Sequence, residues 1–261
     1  MGSGVIEDAL RLVKQRIPNV DSIVAEEVRI GVRYTGVRLS TGDVGLCYSF
    51  PEELRPIRVA RGAGTLSGKP AIKIACMSRS WDLSQSVVGV AALNALSQAA
   101  MRIGINQYRI SEGGISKSIR IKRSDVVVMV GYMVPIAEAI RGRVKHLYIL
   151  ERNPQLRFSD ALPDTVCEDV LPRADVAVIT GSAIPNKTID RLLSLAQGAR
   201  EICVVGPTAG IIPDALFSRG VTMVGCVKVL EPHKIMRIIS EGGGARALSP
   251  AAKFICIRPK V

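Results

Sequence analysis

Four short aliphatic runs, at 126–130, 147–150, 176–179 and 202–205, constrain this chain more than any other feature. Apolar residues occupy nearly every position in each, so both faces of such a strand must be covered. Between and after the runs lie stretches that read as helices, at about 134–141, 164–170, 187–197 and 213–219. Strand–helix alternation of this kind specifies βαβ units and a parallel sheet, an α/β architecture. Segments 222–225 and 253–257 are candidates for one further strand each.

The preceding part of the chain is patterned differently. Val5, Ile6, Ala9, Leu10, Leu12 and Val13 recur at helical spacing, and Pro18 with Asn19 ends that helix. Strand-like segments follow at 23–33, 35–40 and 43–49, with a tight hairpin turn at Thr41-Gly42-Asp43. Residues 50–69, rich in proline and glycine, read as an exposed loop. Helices are expected at about 70–79 and 84–103, the second with Ser84 as its N-cap and Gly104 at its end. This is an α+β unit of antiparallel strands followed by helices. The expected division is residues 1–110 and 111–261, with the boundary near 105–120.

Composition excludes several classes. Hydrophobic residues are 48% of the 261, enough for a packed core, and aromatic residues are only 4%. A surface that stacks bases on aromatic rings is therefore not expected. The net charge is +12, split +5 over residues 1–110 and +7 over 111–261. So diffuse an excess reads as a solvated surface rather than a nucleic-acid groove. The richest apolar stretch, 126–139, is broken by Gly131, Pro135 and Glu138, so no membrane partner is expected. The first residues lack the layout of a signal peptide, and a cytoplasmic location is expected. The six cysteines contain no C-x-x-C pair, which excludes a zinc site of the usual paired spacing and leaves free, buried thiols. His146 and His233 are poor candidates for catalysis, the first in a basic surface segment and the second at a helix start.

The candidate site is read from the strand ends. Each parallel run ends in small or polar residues: Gly131, Glu151, Thr180-Gly181 and Gly206-Pro207-Thr208. In open parallel sheets ligands bind outside the carboxyl ends of the strands. Glu151 follows Gly131 by 20 residues, the spacing at which a dinucleotide fold holds a ribose hydroxyl, yet G-x-G-x-x-G is absent. Glu151 has an ion pair with Arg152 or a nearby lysine as its plain structural reading. The stretch from Thr180 to Thr188 offers backbone N–H groups at a helix start, with Asn186 either in the site or capping the helix. Asn94 lies on an otherwise apolar helix, where burial demands a partner.

Taken in order, several segments resemble a known family. They are 32–37 with 42–46, then 89–95, 150–154, 171–176, 180–181 with 186–188, and 205–208. The chain resembles the heavy-metal chelation family of prokaryotic proteins, whose function is not established, over nearly its whole length. The resemblance implies an N-terminal domain similar to the enolase N-terminal fold and a C-terminal Rossmann-like domain, with a ligand site between them. It implies heavy-metal chelation or metal-cofactor handling; the alternative is a Rossmann-type enzyme using a nucleotide-like cofactor for group transfer. Metal chelation wants thiolates, imidazoles or clustered carboxylates. The matching segments supply chiefly Glu151, Asn94, Asn186, Thr188 and other hydroxyls, which suit a small polar ligand or a metal carried inside a chelate. The expected partners are such a ligand and, from the aliphatic surplus, a second copy of the chain in a homodimer.

Overall fold

The computed structural model describes residues 4–53, 62–158 and 160–260. Helix α1 (Val5–Arg16) buries Val5, Ile6, Ala9, Leu10 and Val13, with Glu7 and Asp8 in its first turn and Lys14 and Arg16 in its last. That charge order complements the helix dipole. Strands β1 (Ala25–Ile30), β2 (Tyr34–Leu39) and β3 (Val44–Tyr48) form an antiparallel sheet in that order. Gly42 turns the β2–β3 hairpin at φ 83°, and Tyr34 pairs across it with Tyr48.

Helix α2 (Ala71–Ala75) leads to α3 (Leu83–Ile103), in which every residue from Ser86 to Ser97 is buried. A helix apolar all round must be enclosed. It packs against β2 and β3, and β3 approaches so closely that a Cβ at Gly45 would lie 2.1 Å from the Ala91 carbonyl oxygen. By length and composition α3 could cross a membrane, though its apolar run is broken by polar residues; most of it is buried inside the protein.

The second sheet has seven strands. β4 (Tyr108–Glu112) and α4 (Ile115–Ser118) precede β5 (Val126–Val130), α5 (Val134–Ile140) and β6 (His146–Leu150). Then come α6 (Cys167–Val170), β7 (Val176–Thr180), α7 (Ile189–Leu195), β8 (Glu201–Val205) and α8 (Asp214–Phe217). The chain ends with β9 (Met223–Val229), α9 (Pro232–Ser240) and β10 (Ala252–Pro259). The sheet order is β4-β10-β9-β8-β7-β5-β6, parallel from β5 through β9, with β10 antiparallel to both β4 and β9. The five parallel strands follow a doubly wound order whose direction reverses between β5 and β7. Ligands bind at that switch point in sheets of this type.

Strand alternation assigns the two faces. Val128, Val130, Ile179, Val204, Val224 and Ile257 join one apolar core with α1, α3 and the small sheet. Val127, Met129, Val178 and Val205 face the other way, onto Ile136 and Ile140 of α5.

The structure corrects several sequence expectations. Asp82, not Ser84, caps α3: its Oδ1 accepts from the Ser84 N–H at 2.9 Å and the Gln85 N–H at 3.4 Å. The carboxylate is the better acceptor for two orphan amides. The helix expected at 187–197 is confined to Ile189–Leu195, because Lys187 sits at φ 67°, a left-handed conformation that no helix admits. The loop expected at 50–69 is only partly exposed, with Phe50 and Leu66 buried; its residues 54–61 lie outside the described ones. All six cysteines are free, four of them buried. β4 escapes the sequence reading because only Tyr108 among its residues is buried.

Candidate functional site

The loops that leave β5, β7 and β8 open onto a cleft of about 1100 Å³. Thr180, Gly181, Gly206, Pro207 and Thr208 line it, joined by Tyr132 and Met133 after β5. The small sheet contributes Arg33, Tyr34 and Tyr48, and the turn before β10 contributes Arg246 and Ser249. The cleft therefore meets the switch point on one side and the edge of the antiparallel sheet on the other. Gly206 has φ 117° and open space where a Cβ would stand, so glycine both permits the turn and keeps the floor clear.

The small sheet is fixed against these loops by two side chains. Thr208 Oγ1 accepts the Tyr48 N–H at 2.9 Å. Asn94, 1% exposed, donates through Nδ2 to the Leu46 carbonyl at 2.6 Å and the Thr208 carbonyl at 3.0 Å. Its Oδ1 is buried without a hydrogen-bond partner among the described residues. Asn94 thus ties α3 to both β3 and the loop after β8, and it does so from within the core.

Glu151 is committed elsewhere too. Its Oε2 accepts the Tyr132 N–H and its Oε1 the Asn153 N–H, each at 2.9 Å. Arg152 pairs instead with Glu53, at 3.8 Å. Two backbone amides take the two carboxylate oxygens, so Glu151 positions the wall residue Tyr132. Gly131 makes the strand-end turn beside Thr180, where its own Cβ would lie 2.7 Å from Thr180 Cγ2. Asn186 Oδ1 accepts from the Thr188 N–H at 3.2 Å and from Thr188 Oγ1 at 2.8 Å, a local turn. Between them Lys187 sends its amine to the Ser78 carbonyl and to Ser86 Oγ under α3. Burial lowers the pKa of that amine to about 8.

The cleft is lined with donors. Burial raises the pKa of Tyr34 to about 12, and burial with the Glu52 carboxylate raises Tyr48 further, so both phenols stay protonated. The Arg33 guanidinium lies 5.7 Å from the Tyr48 ring centre and 3.3 Å from Glu52. Lys253 is paired with Glu112 at 2.8 Å, whereas no carboxylate among the described residues pairs with Arg246. Tyr34, Tyr48, Tyr132, Arg33 and Arg246 were not singled out from sequence. The sequence signal that could have found them is Tyr34 and Tyr48 flanking the Thr41-Gly42-Asp43 turn, two of the chain's five tyrosines.

A bare metal ion does not fit this lining. Among the described residues no group of three or more His, Cys, Asp or Glu side chains could hold one. Cys47, near Thr208, is fully buried, and burial pushes its thiol pKa far up, so no thiolate is on offer. Hydroxyls, phenols and guanidinium groups recognise oxygen-rich anions instead.

Comparison with known proteins gives consistent relatives. Residues 115–257 match the DUF364 family model and residues 13–97 the DUF4213 model, both described as "Putative heavy-metal chelation". An uncharacterised protein of Methanocaldococcus jannaschii is 28% identical over 180 residues, 68% of this chain and 67% of that one. A crystal structure of a DUF364 protein of unknown function from Pyrococcus horikoshii superposes with a TM-score of 0.81 at 22% identity, covering 97% of this chain and 98% of the other. One from Desulfitobacterium hafniense DCB-2 gives 0.81 at 23% identity, covering 98% of each. These structures share the fold. The comparisons lend no support to the alternative of a group-transferring enzyme.

Proposed function

Because the chain belongs to the family described as "Putative heavy-metal chelation", we propose that it binds metal already enclosed in an anionic, oxygen-rich organic chelator, in the cleft at the strand ends. The observation that carries this reading is the donor set. The family description points to metal, while the cleft offers phenols, hydroxyls, Arg33 and Arg246 and lacks a cluster of metal-ligating side chains among the described residues. Arg33 and Arg246 would take chelator carboxylates, the Tyr34 and Ser249 hydroxyls would donate to further oxygens while the Tyr48 O–H stays with Glu52, and the metal would touch no protein atom. Glu151 and Asn94 hold the walls.

Calorimetric titration of untagged protein with ferric citrate, with citrate and with free metal salts tests this. Ferric citrate should bind one per chain, and free ions should not. Arg246→Glu should weaken the chelate at least about tenfold, the loss of one charge-assisted contact. Stoichiometric binding of free ions, unaffected by Arg246→Glu, would overturn the proposal.

A further inference from the structure

The strands of a parallel sheet all begin at one end, so the loops that precede them share that end whatever their distance in sequence. Segments 119–125, 141–145, 171–175 and 196–200 precede β5, β6, β7 and β8 and hold eight basic residues against two acidic ones, half of the chain's +12. Backbone bonds fix them side by side: Lys145 N–H donates to the Asp125 carbonyl, Asp175 N–H to that of Val126, and Arg200 N–H to that of Asp175, all within 3.0 Å. Arg200 also reaches the Arg120 carbonyl, at 3.3 Å. Half of the charge that looks diffuse along the sequence is therefore gathered at the end of the sheet opposite the cleft.

Both acids on this face are occupied. Asp125 is buried against Arg200 at 2.7 Å, and Asp175 accepts the Val126 N–H at 2.8 Å. Arg141 pairs with Asp160. Arg120, Lys122, Arg123, Arg143, Lys145 and Arg173 are exposed, and no carboxylate pairs with them among the described residues. Among the described residues at least 15 of the chain's 23 acids are already in ion pairs, which leaves few for a second copy to bring to this face. No exposed large apolar side chain falls in these four loops, so nothing there would anchor in a lipid surface. The four loop segments themselves hold no aromatic side chain on which a single strand could stack. Arginine is in the majority, and its planar fork suits phosphate oxygens. From β6 to β8 is about 15 Å at the usual strand spacing, against one duplex charge per ~1.7 Å of axis.

We propose that this face binds the phosphate backbone of double-stranded nucleic acid without reading its sequence. With about five phosphates contacted, the logarithm of affinity falls with that of salt at a slope of about −4.5, several hundredfold between 50 and 200 mM. Fluorescence anisotropy with labelled 20-base-pair RNA and DNA duplexes measures it, and binding of either supports the proposal. The variant R123E/K145E/R173E should weaken binding at least about a hundredfold and reduce the slope by about 1 per lost contact. K73E/K228E/R237E makes the same charge change elsewhere and should bind nearly as well as the parent chain at equal salt. If the reversal variant does not fold, R123Q/K145Q/R173Q serves in its place. No duplex binding at 50 mM salt, a flat salt dependence, or equal losses in both reversal variants would overturn the proposal. Binding to vesicles of phosphatidylcholine with 30% phosphatidylserine, but not to duplexes, would also overturn it and assign the face to membranes.

Discussion

Glu151 shows how a carboxylate beside a binding cleft can serve the wall rather than the ligand. Its two oxygens accept two backbone amides, from Tyr132 and Asn153. Glu151→Gln presents an NH2 to one of those donors, so one bond is replaced by two donors facing each other. The expected cost is about 1–3 kcal/mol of stability, read by urea unfolding, with chelate binding changed only through a looser Tyr132. Intact stability with lost binding would make Glu151 a ligand contact. Lys187 is a second such residue. Burial depresses its amine pKa to about 8 in the fold, against about 10.4 in the unfolded chain. Between these values the unfolded state binds more protons, so this residue makes stability rise as pH goes from 8 to 10.5. Subtracting the profile of Lys187→Met from that of the parent chain should leave this rise; a difference flat across the window would refute it.

At the scale of elements, α3 is the part on which the others depend. It starts at a carboxylate cap, and Asp82→Ala should cost about 0.5–2 kcal/mol, again by urea unfolding. Twelve residues on, Asn94 bonds β3 on one side and the loop after β8 on the other. Asn94→Asp keeps the shape but sets a buried charge against two carbonyl oxygens, so it should destabilise more than Asn94→Ala, by several kcal/mol. Equal losses in the two variants would mean that the amide donors matter less than the packing. The parallel strands and their helices were legible because their apolar runs are continuous and must be buried. β4 was not, since four of its five residues face solvent and its place depends on pairing with β10, more than 140 residues away.

Across the whole molecule one apolar core passes from α1 and α3 through the small sheet to one face of the large sheet. Because neither sheet covers its inner face alone, thermal unfolding followed by far- and near-ultraviolet circular dichroism should give one coincident transition. Two separated transitions would show independent halves. The sequence by itself determined the α/β class, the antiparallel opening hairpin, the parallel strands and the chemically spare ends of those strands. Each follows from local rules: burial period, turn residues, and the requirement that apolar runs be covered on both faces. Only the tertiary structure decided which polar groups face the cleft. Asn94, Glu151 and Asn186 looked available because a sequence shows side chains without their partners, and the Asn94 amide N–H groups, the Glu151 carboxylate and the Asn186 carbonyl are taken up by backbone carbonyls, backbone amides and Thr188. Arg33, Tyr48 and Arg246 enter the cleft because the small sheet and the turn before β10 fold over the switch point. The same holds for the charge: 22 residues scattered over 82 positions form one basic face because parallel strands start at a common end. Proximity in space is set by long-range pairing and packing, and a linear pattern does not contain it.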